Sequence, residues 1–126
     1  MSSKSEILGA WKFNEERVIL PGGVTGLVRE LSAGLRDDYE QGMVKTVDGK
    51  RQADLTNMRA KLIAPCLIDE ETGAPMFTVE ELSAAPASFL EPLWIASQRL
   101  NGMGPSAVED AVKNSEAAPS GSSTSA

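Results

Sequence analysis

The chain has 126 residues, a net charge of −6, a single cysteine and no histidine. An acidic surface repels phosphate backbones, so we predict no contact with nucleic acid. The chain has neither the apolar core of a signal peptide nor an apolar run near the roughly 20 residues that span a bilayer, which predicts a cytoplasmic protein without a membrane contact. The single cysteine excludes a disulfide within the chain.

The length suits one compact domain, and the composition changes near the C-terminal end. Residues 115–126 read SEAAPSGSSTSA and contain no large apolar side chain. Such a segment cannot bury enough surface to offset its chain entropy. We therefore predict a single domain over residues 1–114, followed by a disordered Ser/Ala-rich tail over residues 115–126.

A β-hairpin is predicted within Arg17–Leu31, because two β-branched runs flank the turn residues Pro21-Gly22-Gly23. Side chains alternate between the two faces of a strand, so Val18 and Leu20 share one face of the first strand. Val24, Gly26 and Val28 share one face of the second. Two strands alone are marginal in water, so we expect helices to cover the hairpin.

Two helices with a polar loop between them are predicted next. Ser32 is a suitable N-cap for a helix whose apolar positions are Leu35, Tyr39 and Met43. The polar stretch Thr46–Gln52 contains Asp48-Gly49 and is expected to be a loop. A second helix is expected from about Ala53, with one face formed by Leu55, Met58, Leu62 and Cys66. Pro65 should kink or end it, since proline cannot donate a helical hydrogen bond.

After a turn over Asp69–Pro75, Thr78 and Glu81 form the T-x-x-E capping box of a short helix. A longer helix is expected from Ser88 or Phe89 to Asn101, with Pro92 in its first turn and Gly102 just after its end. A last short helix is predicted near Ala107–Lys113. The fold class is therefore α+β: a small, mainly α-helical domain of four to five helices with an N-terminal β-hairpin and a disordered C-terminal tail.

The residues argue against catalysis. Without histidine, the usual general base, the Ser-His and Cys-His nucleophile systems and most zinc sites are excluded. The acidic runs Asp37-Asp38 and Asp69–Glu71 consist of neighbours in sequence, whose side chains diverge, and Cys66 lies in the apolar stretch LIAPCLI. We predict that the protein is not an enzyme and holds no cofactor and no metal.

The helix Phe89–Asn101 is apolar over most of its circumference. Relative to the stripe that contains Phe89 and Leu93, Leu90 and Trp94 lie about 100° or more away and Ile95 lies nearly opposite. Such a helix is either central or contacts a partner, and for Trp94 both core packing and partner contact remain open. The sequence offers one functional surface, a protein-binding surface formed by Leu90, Trp94 and Ile95. Trp11 and Phe13 are a second candidate for partner contact, although we expect them to pack against the hairpin.

Three stretches resemble the tail assembly chaperones of long-tailed, lambda-like phages: LVRELSAGLRDDYE (Leu27–Glu40), RAKLIAPCLIDEETGAPMFT (Arg59–Thr78) and FLEPLWIASQRLNGMG (Phe89–Gly104). The order of hairpin, R-E-L-S-A-G helix start, R-A-x-L-I-A helix and L-N-G helix end is also similar. The likeness covers most of residues 18–114. The chain departs from the family pattern at Leu35, where a charge is expected, and at the unusually apolar Trp94-Ile95.

The resemblance implies an assembly factor made in the cytoplasm of the infected host and absent from the mature virion. Its partners would be the tape measure protein, which it keeps soluble, and the tail tube protein, which it helps to recruit by protein contact alone. Self-association is compatible with this role. The alternative is a minor structural or adaptor protein of the phage particle.

Overall fold

The structure is a computed structural model and describes residues 1–103. These residues form a mixed α+β fold of five helices and two small antiparallel sheets. The elements in chain order are α1 (Lys4–Ala10), β1 (Glu15–Ile19), β2 (Thr25–Arg29), α2 (Ala33–Gly42), β3 (Val44–Val47), β4 (Lys50–Ala53), α3 (Met58–Cys66), β5 (Leu67–Ile68), α4 (Val79–Ser83) and α5 (Ala87–Leu100).

The predicted N-terminal hairpin is confirmed as β1 and β2, which pair in antiparallel register from Glu15 opposite Arg29 to Ile19 opposite Thr25. The short strand β5 adds to β2, so the sheet order is β1-β2-β5. One face of this sheet is buried and carries Val18, Leu20, Gly26 and Val28, as the alternation predicted. Val24 was expected on that face, but it precedes β2 and is exposed.

A second hairpin, β3–β4, occupies the stretch that we expected to be a loop. Asp48 and Gly49 both have positive φ, +52° and +76°, as a two-residue type I′ hairpin turn requires. The expectation of a loop was wrong because it took the polar side chains as the signal. A hairpin exposed on both faces needs no apolar alternation, and the Asp-Gly pair was the informative feature.

The core lies between the sheet and the helices α3, α4 and α5. The most deeply buried large side chains are Leu62 and Ile63 of α3, Leu93 of α5 and Val28 of β2. Since α3 is buried on several sides, its apolar residues follow no single stripe. The helices thus cover one face of the β1-β2-β5 sheet and form a two-layer arrangement with it.

Sequence signals located the helix starts unevenly. Ser32 accepts a hydrogen bond from the Leu35 amide, and Thr78 and Glu81 form both halves of the capping box, as predicted. However, α3 begins at Met58 after Asn57 with φ +52°, five residues later than expected, which leaves Leu55 exposed. The helix ends one residue after Pro65.

The longest helix, α5, begins at Ala87 with Pro86 as its N-cap. Pro92 is therefore the sixth residue of α5. It lies beyond the first turn, whereas the sequence pattern had placed it within the first turn. The predicted end is confirmed, because Asn101 is the C-cap and Gly102 follows with φ +67°. The predicted helix at 107–113, the end of the domain at residue 114 and the tail 115–126 lie outside the described residues.

Across residues 1–103, no helix combines the length and the apolar character needed to cross a membrane.

Candidate protein-binding surface

Two of the three residues predicted to bind a partner belong to the core. Leu90 is 5% exposed and Trp94 is 7% exposed, and both pack in the main apolar cluster with Leu93 and Ala96. For Trp94, where both alternatives were left open, the structure thus shows core packing, and Leu90 is buried in the same way, so neither side chain forms an exposed surface. The physical reason is that α5 is embedded on more than one side, since it contacts α3 as well as β1 and β2.

The face of the Trp94 ring is covered by a charged side chain. The guanidinium carbon of Arg59 lies 5.5 Å from the centre of the ring, within cation–π range. The same guanidinium donates a hydrogen bond to the Glu91 carboxylate one helical turn before Ile95. Arg59 thus joins α3 to α5 and separates Trp94 from solvent.

Ile95 is the one member of the predicted set that the structure places on the surface, with 46% exposure. It lies one turn before Arg99, whose guanidinium pairs with the Glu16 carboxylate on β1. Ile95 therefore occupies the solvent-facing side of α5, close to charged residues that anchor the helix to the sheet. Its role in partner contact stays a prediction.

The end of α5 is held by a polar contact inside the fold. The Leu31 amide donates to Asn101 Oδ1 at 2.9 Å, and Asn101 Nδ2 donates to the Ser97 carbonyl at 2.8 Å and lies 3.6 Å from Cys66 Sγ. Arg36 Nη1 donates to the Asn101 carbonyl at 2.9 Å. The Asn of the L-N-G stretch thus connects four parts of the fold and has a structural role.

Cys66 is fully buried beside this asparagine. Burial raises the pKa of its thiol, which keeps the group protonated and chemically unreactive at neutral pH. Cys66 therefore packs in the core, in agreement with its apolar neighbours in the sequence.

Within residues 1–103, a run of exposed apolar side chains lies in what we call the N-terminal segment (residues 1–13), of which only Trp11 and Phe13 were singled out from the sequence. Every residue of this segment is exposed, and its large apolar side chains include Ile7 at 56%, Leu8 at 47%, Trp11 at 65% and Phe13 at 42%. Trp11 does not pack against the hairpin as expected. Phe13 does so in part, because the Arg29 guanidinium lies over its ring.

Within the N-terminal segment, α1 carries Ile7 and Leu8, and Trp11 follows the helix as its C-cap residue. Ser3 and Glu6 form a complete capping box, which also lowers the pKa of Glu6 through the hydrogen bond from the Ser3 amide. This S-x-x-E spacing was the signal that could have predicted the helix. A seven-residue helix is too short to be stable by itself in water, so contact with another surface would stabilise it.

In the described part of the chain, the acidic residues of the two runs are exposed or make local contacts. Asp37 and Asp38 are exposed on α2, and Asp69 accepts hydrogen bonds from the amides of its own turn. Glu70 pairs with Arg17, whose hydrogen bond lowers the pKa of that carboxyl. No group of three or more Cys, Asp or Glu side chains within residues 1–103 could hold a metal ion.

Comparison of this chain with protein-family models, with curated proteins and with solved structures finds no match.

Proposed function

We propose that this protein is a phage tail assembly chaperone that binds the tape measure protein, keeps it soluble and helps to recruit tail tube subunits. The observation that carries the proposal is the exposed N-terminal segment with Ile7, Leu8 and Trp11 on an acidic domain whose core is already complete. The three stretches that resemble this family support the same role.

The physical basis is the covering of apolar surface. A long helical client exposes apolar faces before the tube encloses it, and these faces would otherwise associate with one another. A short amphipathic helix can lay its apolar side on such a face. The chain's net charge of −6 would keep the complex dispersed. Release then requires only that the tube subunit compete for the same face, with no bond made or broken.

In this proposal the protein acts in the host cytoplasm and leaves before the virion is complete. The alternative, a minor structural or adaptor protein of the particle, predicts instead that the chain remains in purified virions. Mass spectrometry of mature particles separates the two roles, because only the structural role leaves stoichiometric amounts of the chain in them.

The test is co-expression with the long helical tape measure protein of the same phage. We expect the wild-type chain to keep the client in the soluble fraction, and the double variant Ile7→Glu/Trp11→Glu to lose this effect. Loss of an aromatic contact in the middle of an interface weakens binding by about tenfold or more. Trp94→Glu is unsuitable for this test, because Trp94 is buried and the variant should unfold.

The matched control is Val24→Glu, which adds one negative charge, as Ile7→Glu does, at an apolar side chain that is likewise 56% exposed but lies in the first hairpin. It should leave the client soluble. Circular dichroism should show all variants folded, since none of the three positions is buried. A double variant that protects the client as well as wild type would contradict the assignment of the N-terminal segment. A wild-type chain with no effect on the client would contradict the proposed function.

A further inference from the structure

The strand β1 forms a free edge of the three-stranded sheet. Within residues 1–103 it pairs with β2 alone, while the opposite edge is the two-residue strand β5, which bridges to Pro75. Exposed edges of this kind are templates for pairing with a further strand. The five residues of β1 therefore offer an unused set of backbone hydrogen-bonding groups.

The residues that present those groups can be identified from the ladder. The Glu30 amide donates to the Asn14 carbonyl at 2.9 Å, and the Leu20 amide donates to the Val24 carbonyl at 2.8 Å. Hydrogen-bonded pairs alternate along an antiparallel ladder, so the even-numbered residues of β1 bond to β2. The amides and carbonyls of Glu15, Arg17 and Ile19 consequently point to the open edge.

The outer face of the same strand carries a self-complementary series of side chains. Glu15, Arg17 and Ile19 share this face of β1, Phe13 lies two residues before Glu15, and all four are exposed. If a second β1 pairs antiparallel about a dyad at Glu16, Glu15 lies opposite Arg17 of the other copy and Phe13 lies opposite its Ile19. Opposite charges and aromatic–aliphatic pairs stabilise such cross-strand positions.

Shifting the register by two residues along the chain removes this match. A dyad at Arg17 places two arginines opposite each other, and a dyad at Glu15 does the same with two glutamates. Like charges directly opposite each other destabilise a strand pair. The dyad at Glu16 also has one like pair, Glu16 with Glu16, but among these three registers it alone adds two Glu15–Arg17 pairs. Charge complementarity thus favours the register centred on Glu16.

Ion pairs within each chain extend the match into a row of alternating charge. Arg29 bonds to Glu15 at 2.7 Å, and Arg17 Nη2 donates to Glu70 Oε1 at 2.8 Å. The row of charged side chains that crosses from one copy to the other is then Arg29 and Glu15 of the first copy, followed by Arg17 and Glu70 of the second. The sign of the charge alternates along this row. On the buried face, the two Glu16 carboxylates that meet at the dyad are each paired with Arg99.

The helix layer also fits this arrangement. Neighbouring strands lie about 4.8 Å apart and α5 contacts both β1 and β2, so the two α5 helices would lie about 10 Å apart, a distance at which helices pack. Ile95, exposed and one turn from Arg99, lies on this part of α5. We propose that a second copy of this chain pairs with the β1 edge, centred on Glu16, and forms a continuous six-stranded sheet.

Sedimentation equilibrium of the full chain at low ionic strength tests this inference. Wild type should approach twice the 13.4 kDa mass of one chain as its concentration rises. Glu15→Arg and Arg17→Glu each place like charges opposite each other twice in the dimer, so each variant should dissociate at least about tenfold more readily. An equimolar mixture of the two variants restores opposite charges at both positions and should form the heterodimer.

The matched controls are Glu80→Arg on α4 and Arg51→Glu on β4, which change the net charge equally at exposed positions away from β1. Both should associate as wild type does. Wild type that stays monomeric at all concentrations, single variants that dimerise like wild type, or a mixture that does not associate would each overturn the proposal. Because the single variants leave the N-terminal segment intact, their effect on the client tests the chaperone role separately.

Discussion

At the scale of single residues, a few polar side chains decide how the elements are joined. Asn101 is the clearest example, since its side chain accepts from the Leu31 amide and donates to the Ser97 carbonyl. Leu31 follows β2 and is 6% exposed. The asparagine therefore satisfies a backbone donor in a region that water does not reach easily.

Replacing this asparagine should be costly. We expect Asn101→Ala to lower the free energy of unfolding by about 1–3 kcal/mol, because the Leu31 amide loses its partner. Urea denaturation measures the difference. The control is Asn14→Ala, since Asn14 is exposed and forms its hydrogen bonds through its backbone, and it should change stability by less than about 0.5 kcal/mol. Equal effects at the two positions would refute the role of Asn101.

At the scale of elements, the buried face of the sheet has little room for a side chain at Gly26. A Cβ added at Gly26 of β2 would lie 2.9 Å from Leu67 Cδ1 and 3.7 Å from Leu93 Cδ2. Gly34 of α2 differs, because a Cβ there meets nothing within 4 Å and its φ is ordinary for a helix. The same residue type is required at one position and replaceable at the other.

Alanine at these two glycines should act with opposite sign. Gly26→Ala forces Leu67 to move inside the core and should destabilise the protein by about 1–3 kcal/mol. Gly34→Ala removes backbone freedom from the unfolded chain and should stabilise it by about 0.5–1 kcal/mol. Thermal unfolding of the pair shows whether the melting temperature falls for the first variant and rises for the second.

At the scale of the whole molecule, the stability of the fold depends on pH through its buried acids. Burial raises the pKa values of Cys66 and Tyr39, so both groups hold their protons in the folded state longer than in the unfolded state. The unfolded chain then binds fewer protons in alkali. The free energy of unfolding is therefore at its full value below the ordinary thiol pKa and falls as the pH rises beyond it.

We therefore expect the free energy of unfolding to fall between about pH 8 and pH 10, with each buried acid contributing at most about 1.4 kcal/mol per pH unit. Cys66→Ala should lower stability at neutral pH through the lost packing, yet make this alkaline decline less steep. Denaturation curves at several pH values measure the slope. An unchanged slope in the variant would show that the thiol does not titrate on unfolding.

At acidic pH, Glu70 should make the free energy of unfolding depend on pH in the opposite direction. Its pKa is lowered by the hydrogen bond from Arg17, so its contribution is present above the ordinary carboxyl pKa and is lost as the pH falls through the folded value. Both side chains are exposed, so solvent screens the pair and the effect should be small.

Local sequence alone determined those features that depend on neighbouring residues. Pro21–Gly23 marked the first hairpin, Thr78 and Glu81 marked the start of α4, and Gly102 marked the end of α5. Capping groups and positive φ values act within a few residues, so they can be recognised in the chain itself. The same local rules would also have predicted the second hairpin, from Asp48-Gly49, and α1, from Ser3 and Glu6. The polar composition of the former, and the expected packing of Trp11 against the first hairpin, were given too much weight.

Tertiary structure alone decided which apolar side chains are covered. Leu90, Trp94 and Ile95 follow one another closely on one helix, yet the first two are buried and the third is exposed, because α3 and the sheet enclose α5 on more than one side. Periodicity describes the circumference of a helix but not how much of it the neighbours occupy. The free β1 edge and the exposed N-terminal segment likewise arise from what packs beside them, and that is settled only when the whole chain is folded.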